Sequence, residues 1–255
     1  MRVFFYVQHL LGVGHLQRAA TLCAALRAYG FEVVLASGGM PLPGIAVDVQ
    51  LPPARAADLS FRNLVDERGT PIDDAWQRRR TTLLLDAWRA ARATVLVIEL
   101  FPFGRRQMRF ELLPLLEDAR RLAPRPLVVC SVRDLIQPRP EREAEAVELV
   151  ERFFDHVLVH GDPRLVGFER TFGSASRLGS RLRSTMIPGA AARESARKSV
   201  SLQFMPAMTR QVAPLRSVRL RAAIAVSRRR RPTAPPPAET STSLPLPPAG
   251  PSSTT

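Results

Sequence analysis

The sequence predicts an α/β fold: a parallel sheet with helices on both faces. Three observations carry that prediction. Short, wholly apolar runs alternate with longer stretches of helical period, the pattern of strands buried on both faces. The alternation is regular over residues 1–177 and then stops. The first apolar run also leads through a glycine turn straight into an amphipathic stretch, the strand–turn–helix order that makes an anion cradle.

Six runs read as strands, at 3–7, 33–36, 47–51, 94–98, 127–132 and 157–159. Four helices lie between them. The first, 16–29, puts Ala19, Leu22, Cys23 and Leu26 on one face, and Gly30 suits the C′ position that ends it. The second, 73–92, carries Trp76, Leu83, Leu84, Ala87 and Trp88, with Asp73 or Asp74 as its cap. The third, 107–122, carries Leu112, Leu115, Leu116, Ala119 and Leu122. Pro114 falls inside it, and an interior proline costs about 3 kcal/mol, so a kink or a later start is expected. The fourth, 141–154, carries Ala144, Val147, Val150 and Phe154, with Pro140 in its first turn.

The formal charge of +14 is uneven. Residues 1–177 hold 24 arginines against 21 acidic residues, an ordinary globular balance. Residues 178–255 hold 13 basic residues against Glu194 and Glu239, and 11 of the 23 prolines. A segment so rich in Arg, Pro, Ser and Ala cannot bury enough apolar surface to offset its ordering entropy. Disorder is expected there, with one short helix near 217–226. The tail reads as a basic arm for nucleic acid or membrane, a linker, or out-of-frame translation of a GC-rich gene. The abrupt change of composition favours the last. Phe204 is its one aromatic residue, so stacking on single strands would be poor and no specific nucleic-acid partner is expected.

Cys23 and Cys130 sit in apolar contexts and read as buried reduced thiols. No metal-ligand spacing occurs, and neither a metal nor a cofactor is expected. No apolar run reaches the ~20 residues of a membrane span, and residues 1–16 read as a first strand rather than a signal peptide. The protein is therefore expected in the cytoplasm.

The turn at 8–15 contains Gly12, Gly14 and His15. Glycines there let a ligand approach the backbone, and helix N–H groups favour an anion. A dinucleotide fingerprint is disfavoured, because Gln17 stands where its third glycine would be and the second strand ends in Ser37-Gly38-Gly39 without an acidic residue. In an open α/β sheet, ligands bind beyond the carboxyl ends of the strands. The segments there are 9–15, 37–39, 99–106, Arg133-Asp134 and 160–163. Arg105, Arg106 and Arg109 open the third helix, where cations oppose its dipole. They read either as partners of Glu111 or Glu99, or as an anion site. Arg78-Arg79-Arg80 reads as a solvated helix face.

Together these segments resemble the N-terminal half of bacterial glycosyltransferases of the GT-B fold, distant relatives of the family 28 N-acetylglucosaminyl transferases. The resemblance rests on residues 5–15, Ser37-Gly38-Gly39, residues 99–111, residues 131–134 and residues 159–162. It covers residues 1–177, and the 99–111 stretch is its most specific part. It implies a Rossmann-like acceptor-side domain at 1–177 whose glycine loop faces a donor diphosphate. The implied reaction transfers a hexosyl group from a nucleotide diphosphate sugar to an acceptor hydroxyl. His15 is then the first candidate for the base, with Glu99 or Asp134 orienting it or replacing it. Gly12, Gly14, Ser37, Gly38, Phe103, Arg105, Arg106 and His160 are the implied substrate contacts. Residues 178–255 lack the pattern of the donor-binding second domain, so catalysis by this chain alone is expected to be impaired. The alternatives are a non-catalytic remnant or nonspecific anion binding through the tail. The resemblance leaves room for peripheral contact with the inner membrane face; acceptor and oligomeric state stay open.

Overall fold

The computed structural model describes residues 1–59, 61 and 63–185. The chain begins with β1 (Arg2–Val7), α1 (Gly14–Ala28) and β2 (Glu32–Ser37). Three two-residue strands follow, β3 (Val49–Gln50), β4 (Arg55–Ala56) and β5 (Leu64–Val65). Next come α2 (Asp74–Ala91), β6 (Val95–Glu99), α3 (Arg109–Arg121) and β7 (Leu127–Arg133). The last are α4 (Glu143–Phe153), β8 (His156–His160) and β9 (Leu182–Thr185).

Among the described residues seven strands form one sheet in the order β3-β2-β1-β6-β7-β8-β9, and every neighbouring pair is parallel. This is the expected Rossmann-like α/β fold. The strands β4 and β5 form a separate antiparallel pair. The chain builds outward from β1 through β2 to β3, then returns to build β6 to β9 on the other side. The order therefore reverses between β1 and β6, where the loops leaving two adjacent strands part and open a crevice.

The strands alternate sides strictly. Val3, Phe5 and Val7 pack with α1 residues Leu16, Ala19, Leu22, Cys23 and Leu26. Phe4 and Tyr6 face the other core, with Leu84 and Trp88 of α2, Leu112, Leu115 and Leu116 of α3, and Val147 and Val150 of α4. Among the described residues one helix thus covers the first face and three cover the second. Cys23 and Cys130 are free and buried, and burial pushes the Cys23 thiol up to about 12.

Local chemistry sets the helix ends. Gly30 has a positive φ, its N–H donates to Arg27 O, and Phe31 N–H donates to Leu26 O, which together satisfy the last carbonyls of α1. Asp73 caps α2 by accepting from Trp76 N–H at 2.7 Å. Pro140 opens a 3-10 turn that leads into α4.

Pro114 lies inside α3, which starts at Arg109 after a 3-10 turn at Arg106–Met108. A proline at 114 frees the carbonyl four residues back, that of Phe110. The Thr81 hydroxyl of α2 donates to that oxygen at 3.3 Å. A neighbouring helix replaces the missing bond, so the helix continues through the proline.

Two expectations need correction. Strand–helix alternation does not end at 177: a 3-10 segment, Gly173–Arg181, leads into β9, which pairs with β8 through Val157–Leu182 to His160–Thr185. Arg80 is not on a solvated face but fully buried, for reasons given below. The tail reading, including the helix expected at 217–226, falls otherwise on 186–255, outside the described residues.

Candidate active site

The crevice at the switch point holds one compact charged group. Glu99, the last residue of β6, is buried, and its carboxylate faces His15 in the first turn of α1. Nδ1 of His15 lies 3.0 Å from both Oε1 and Oε2 of Glu99. Arg18, one turn further along α1, donates from Nη2 to Oε1 at 2.7 Å. Burial alone would raise the Glu99 carboxyl, but the hydrogen bond from His15 and the charge and hydrogen bond of Arg18 outweigh it and hold it below the usual range. An ionised carboxylate only accepts, so Nδ1 of His15 carries the proton and Nε2 is the basic nitrogen. The ring itself is partly open to solvent, at 23% of its side chain.

The glycine turn frames this pair. Gly12 and Gly14 are exposed, and a Cβ built on either would meet nothing within 4 Å. Val13, at the N-cap of α1, provides no side-chain cap. The N–H groups of Gly14, His15 and Leu16 therefore start the helix without helical partners. The Arg105 side chain reaches back to the residue that follows β1. Its Nε donates to the main-chain oxygen of Gln8 at 2.6 Å. Burial pulls its pKa down, with Glu99 as the main counterweight. The residue has a left-handed φ of 60°, so its backbone is held in a sparsely populated region at the crevice mouth.

The remaining candidates are placed differently. Arg106 and Arg109 both pair with Glu145 of α4. Glu111 pairs instead with Arg80, at 2.7 and 2.9 Å. Arg80 also donates to Gly38 O, Pro52 O and the side-chain oxygen of Gln8, and Tyr6 OH donates to Glu111. Burial opposes the Arg80 charge and Glu111 more than restores it. A Cβ at Gly38 would stand 2.1 Å from Arg80 Nη2, and one at Gly39 would stand 2.3 Å from the His9 ring. The glycines of 37–39 thus make room for packed side chains. The Ser37 hydroxyl is buried without a hydrogen-bond partner, and neither ring nitrogen of buried His9 makes a well-aligned one.

His160 is buried with both ring nitrogens used, 2.8 Å from Ser131 Oγ and 2.7 Å from Thr185 Oγ1. Burial, helped by the Arg18 charge, pushes its pKa down to about 3, so the ring is neutral. It clamps β7, β8 and β9 together. Asp134 accepts from the N–H of Leu135 in its own turn, and its side chain packs against Gly161. Phe103 packs edge-on against Phe168 and Phe172, with ring centroids 5.4 and 5.0 Å away. The structure thus brings His15, Glu99, Gly12, Gly14 and Arg105 to one crevice, and sets Asp134, His160, Arg106 and Phe103 in local packing. Sequence reading missed Arg18. Its position three residues after His15 on a helix was the available signal. Among the described residues no cluster of three or more His, Cys, Asp or Glu side chains is placed to hold a metal.

No protein-family model and no curated protein matches the chain. Glycosyltransferases stand among its structural neighbours. It is similar to SsfS6, a glycosyltransferase of Streptomyces sp. SF2575, at 14% identity and a TM-score of 0.40, covering 66% of this chain and 52% of that one. It is similar to apo UGT2 of Phytolacca americana, at 13% identity and a TM-score of 0.40, covering 74% and 52%. It is also similar to the spinosyn rhamnosyltransferase SpnG complexed with thymidine diphosphate, at 14% identity and a TM-score of 0.26, covering 82% and 92%. The chain spans about half the length of the first two.

Proposed function

We propose that this chain is the acceptor-side lobe of a nucleotide-sugar-dependent hexosyltransferase, with His15 as its general base. The observation that carries the reading is the His15–Glu99 pair at the topological switch point, with Nδ1 bound to a buried carboxylate and Nε2 left for chemistry. The acceptor hydroxyl gives its proton to Nε2 as its oxygen bonds to the anomeric carbon. The bond from that carbon to the diphosphate oxygen breaks, and the nucleoside diphosphate leaves. Glu99 stabilises the imidazolium that forms. The free N–H groups of α1 and the Arg105 guanidinium face the charge that grows on the leaving diphosphate. Leu11 and Val13 are exposed in the same turn, which suits an acceptor with an apolar body. A second lobe is expected to supply most of the donor contacts, and turnover by this chain alone is expected to be slow.

The test incubates the purified chain with a panel of UDP- and TDP-sugars and measures release of the nucleoside diphosphate. Release is expected to fall about 10²- to 10⁴-fold in H15Q. Release unchanged in H15Q, or no release from any donor by the parent protein, would overturn the reading.

A further inference from the structure

The polar group at the crevice has three members, and a histidine–carboxylate base needs only two. Arg18 Nη2 lies 2.7 Å from Glu99 Oε1 and 3.3 Å from His15 Nδ1. Glu99 Oε1 therefore accepts from the arginine and the imidazole at once, while Oε2 faces the imidazole alone. Arg18 is not woven into other structure: its Nε is buried without a hydrogen-bond partner. Its guanidinium lies against a carboxylate that is itself fully buried, where charge counts for more than in water.

We infer that Arg18 is a positioning residue that sets the charge state of the pair, holding His15 neutral so that Nε2 is free to accept a proton. With Arg18 in place, protonating His15 would put two cations against one buried carboxylate. Without it, an imidazolium and Glu99 would form a matched ion pair, and an opposite charge at hydrogen-bond distance favours the charged form of the ring. The base would then be occupied before substrate arrived. The inference rests on the proposed role of His15, but its electrostatic content stands apart from turnover.

The other groups around the pair are named by the fold. Burial lowers the pKa of His9, from the loop after β1, and the Arg105 charge adds to that. Arg105, from the loop after β6, interacts with both Glu99 and Arg18. His160, from β8, is held neutral by burial, with Arg18 acting against its protonation. Among the described residues only Arg18 combines a full charge with direct contact to both members of the pair.

The test follows the His15 imidazole by proton NMR across pH in the full chain, its resonance assigned by its loss in H15Q. The titration midpoint is expected to move to higher pH in R18M and in R18Q, and to stay with the parent in R18K, which keeps the charge. An unmoved midpoint in R18M overturns the inference. So does an R18Q variant that titrates like the parent, because a hydrogen bond without charge would then suffice. Where R18M does not fold, R18Q against R18K decides. A parent protein that releases no nucleoside diphosphate sinks the proposed reaction and leaves the NMR result standing; an unmoved midpoint with release intact does the reverse.

Discussion

At the scale of single residues, two buried polar side chains define what this fold tolerates. His160 is neutral between β7, β8 and β9, each ring nitrogen beside a hydroxyl. Its pKa is lowered from 6.5 to about 3 in the folded protein. Between those values the unfolded chain binds a proton that the folded chain does not. Stability is therefore lost as pH falls from about 6.5 toward 3, by up to about 1.4 kcal/mol per pH unit from this residue. Urea midpoints measured across that window should show the slope in the parent protein and lose it in H160Q. Arg80 poses the complementary case. It is fully buried against Glu111, with Gly38, Pro52 and Gln8 taking its other hydrogen bonds. Removing one partner leaves an uncompensated charge in the core, so R80M and E111Q should each cost about 3–5 kcal/mol in chemical denaturation. A cost near zero in both would mean that water reaches the pair.

At the scale of elements, glycine does two different jobs, and the structure separates them. Gly14 opens α1 with nothing within 4 Å of a built Cβ, whereas Gly38 is closed off by Arg80 and Gln8. G14A should raise stability by up to about 1 kcal/mol, since Ala suits a helix better. If the diphosphate approaches this turn as proposed, the added methyl group meets it, and the Kd for UDP should rise in calorimetry. G38A should destabilise the protein and leave no such trade. A G14A variant that gains stability and binds UDP unchanged would remove the turn from the ligand site. The sequence alone distinguishes these two glycines poorly, because both follow strands in Gly-containing turns. Periodicity made the main strands and all four helices legible, since burial repeats every second or every third and fourth residue. It also carried Arg80 in disguise. Arg80, Leu84, Trp88 and Ala91 form one buried stripe on α2, but a cation at the end of an apolar stripe reads as surface until its acid, 31 residues away, is known to face it. Pro114 was legible in part: the helix starts later than 107, at Arg109, but the proline stays inside it because its compensation, Thr81, lies on another helix. The run read as a strand at 47–51 contains β3, whereas the two-residue strands β4 and β5 are too short for any period to show.

At the scale of the whole molecule, the candidate site lies at the middle of the sheet and β9 closes its edge. His15 and Glu99 are 84 residues apart in sequence and meet only because the strand order reverses between β1 and β6. No short motif contains that pair: the glycine turn singled out His15, and only the family resemblance narrowed its partner to Glu99 or Asp134. At the far edge the sheet closes with β9, eight residues and fewer beyond the point where composition changes. Its Thr185 supplies a hydroxyl to His160, its register continues that of β8, and Leu178 just before it is 1% exposed. Composition averages over windows longer than a four-residue strand, so a change of character at 177 hid an element that the fold uses. A chain cut after Arg177 should therefore unfold at a lower urea midpoint than one cut after Thr185, by about 3 kcal/mol or more for the lost leucine and its cavity alone. It should also self-associate more readily, because β8 becomes an unprotected edge. T185V, in the full chain, isolates one part of that loss: one ring nitrogen of His160 loses its partner, a cost of about 1–3 kcal/mol. Equal midpoints for the two cut chains would show that the sheet is complete at β8 and that β9 adds nothing to it.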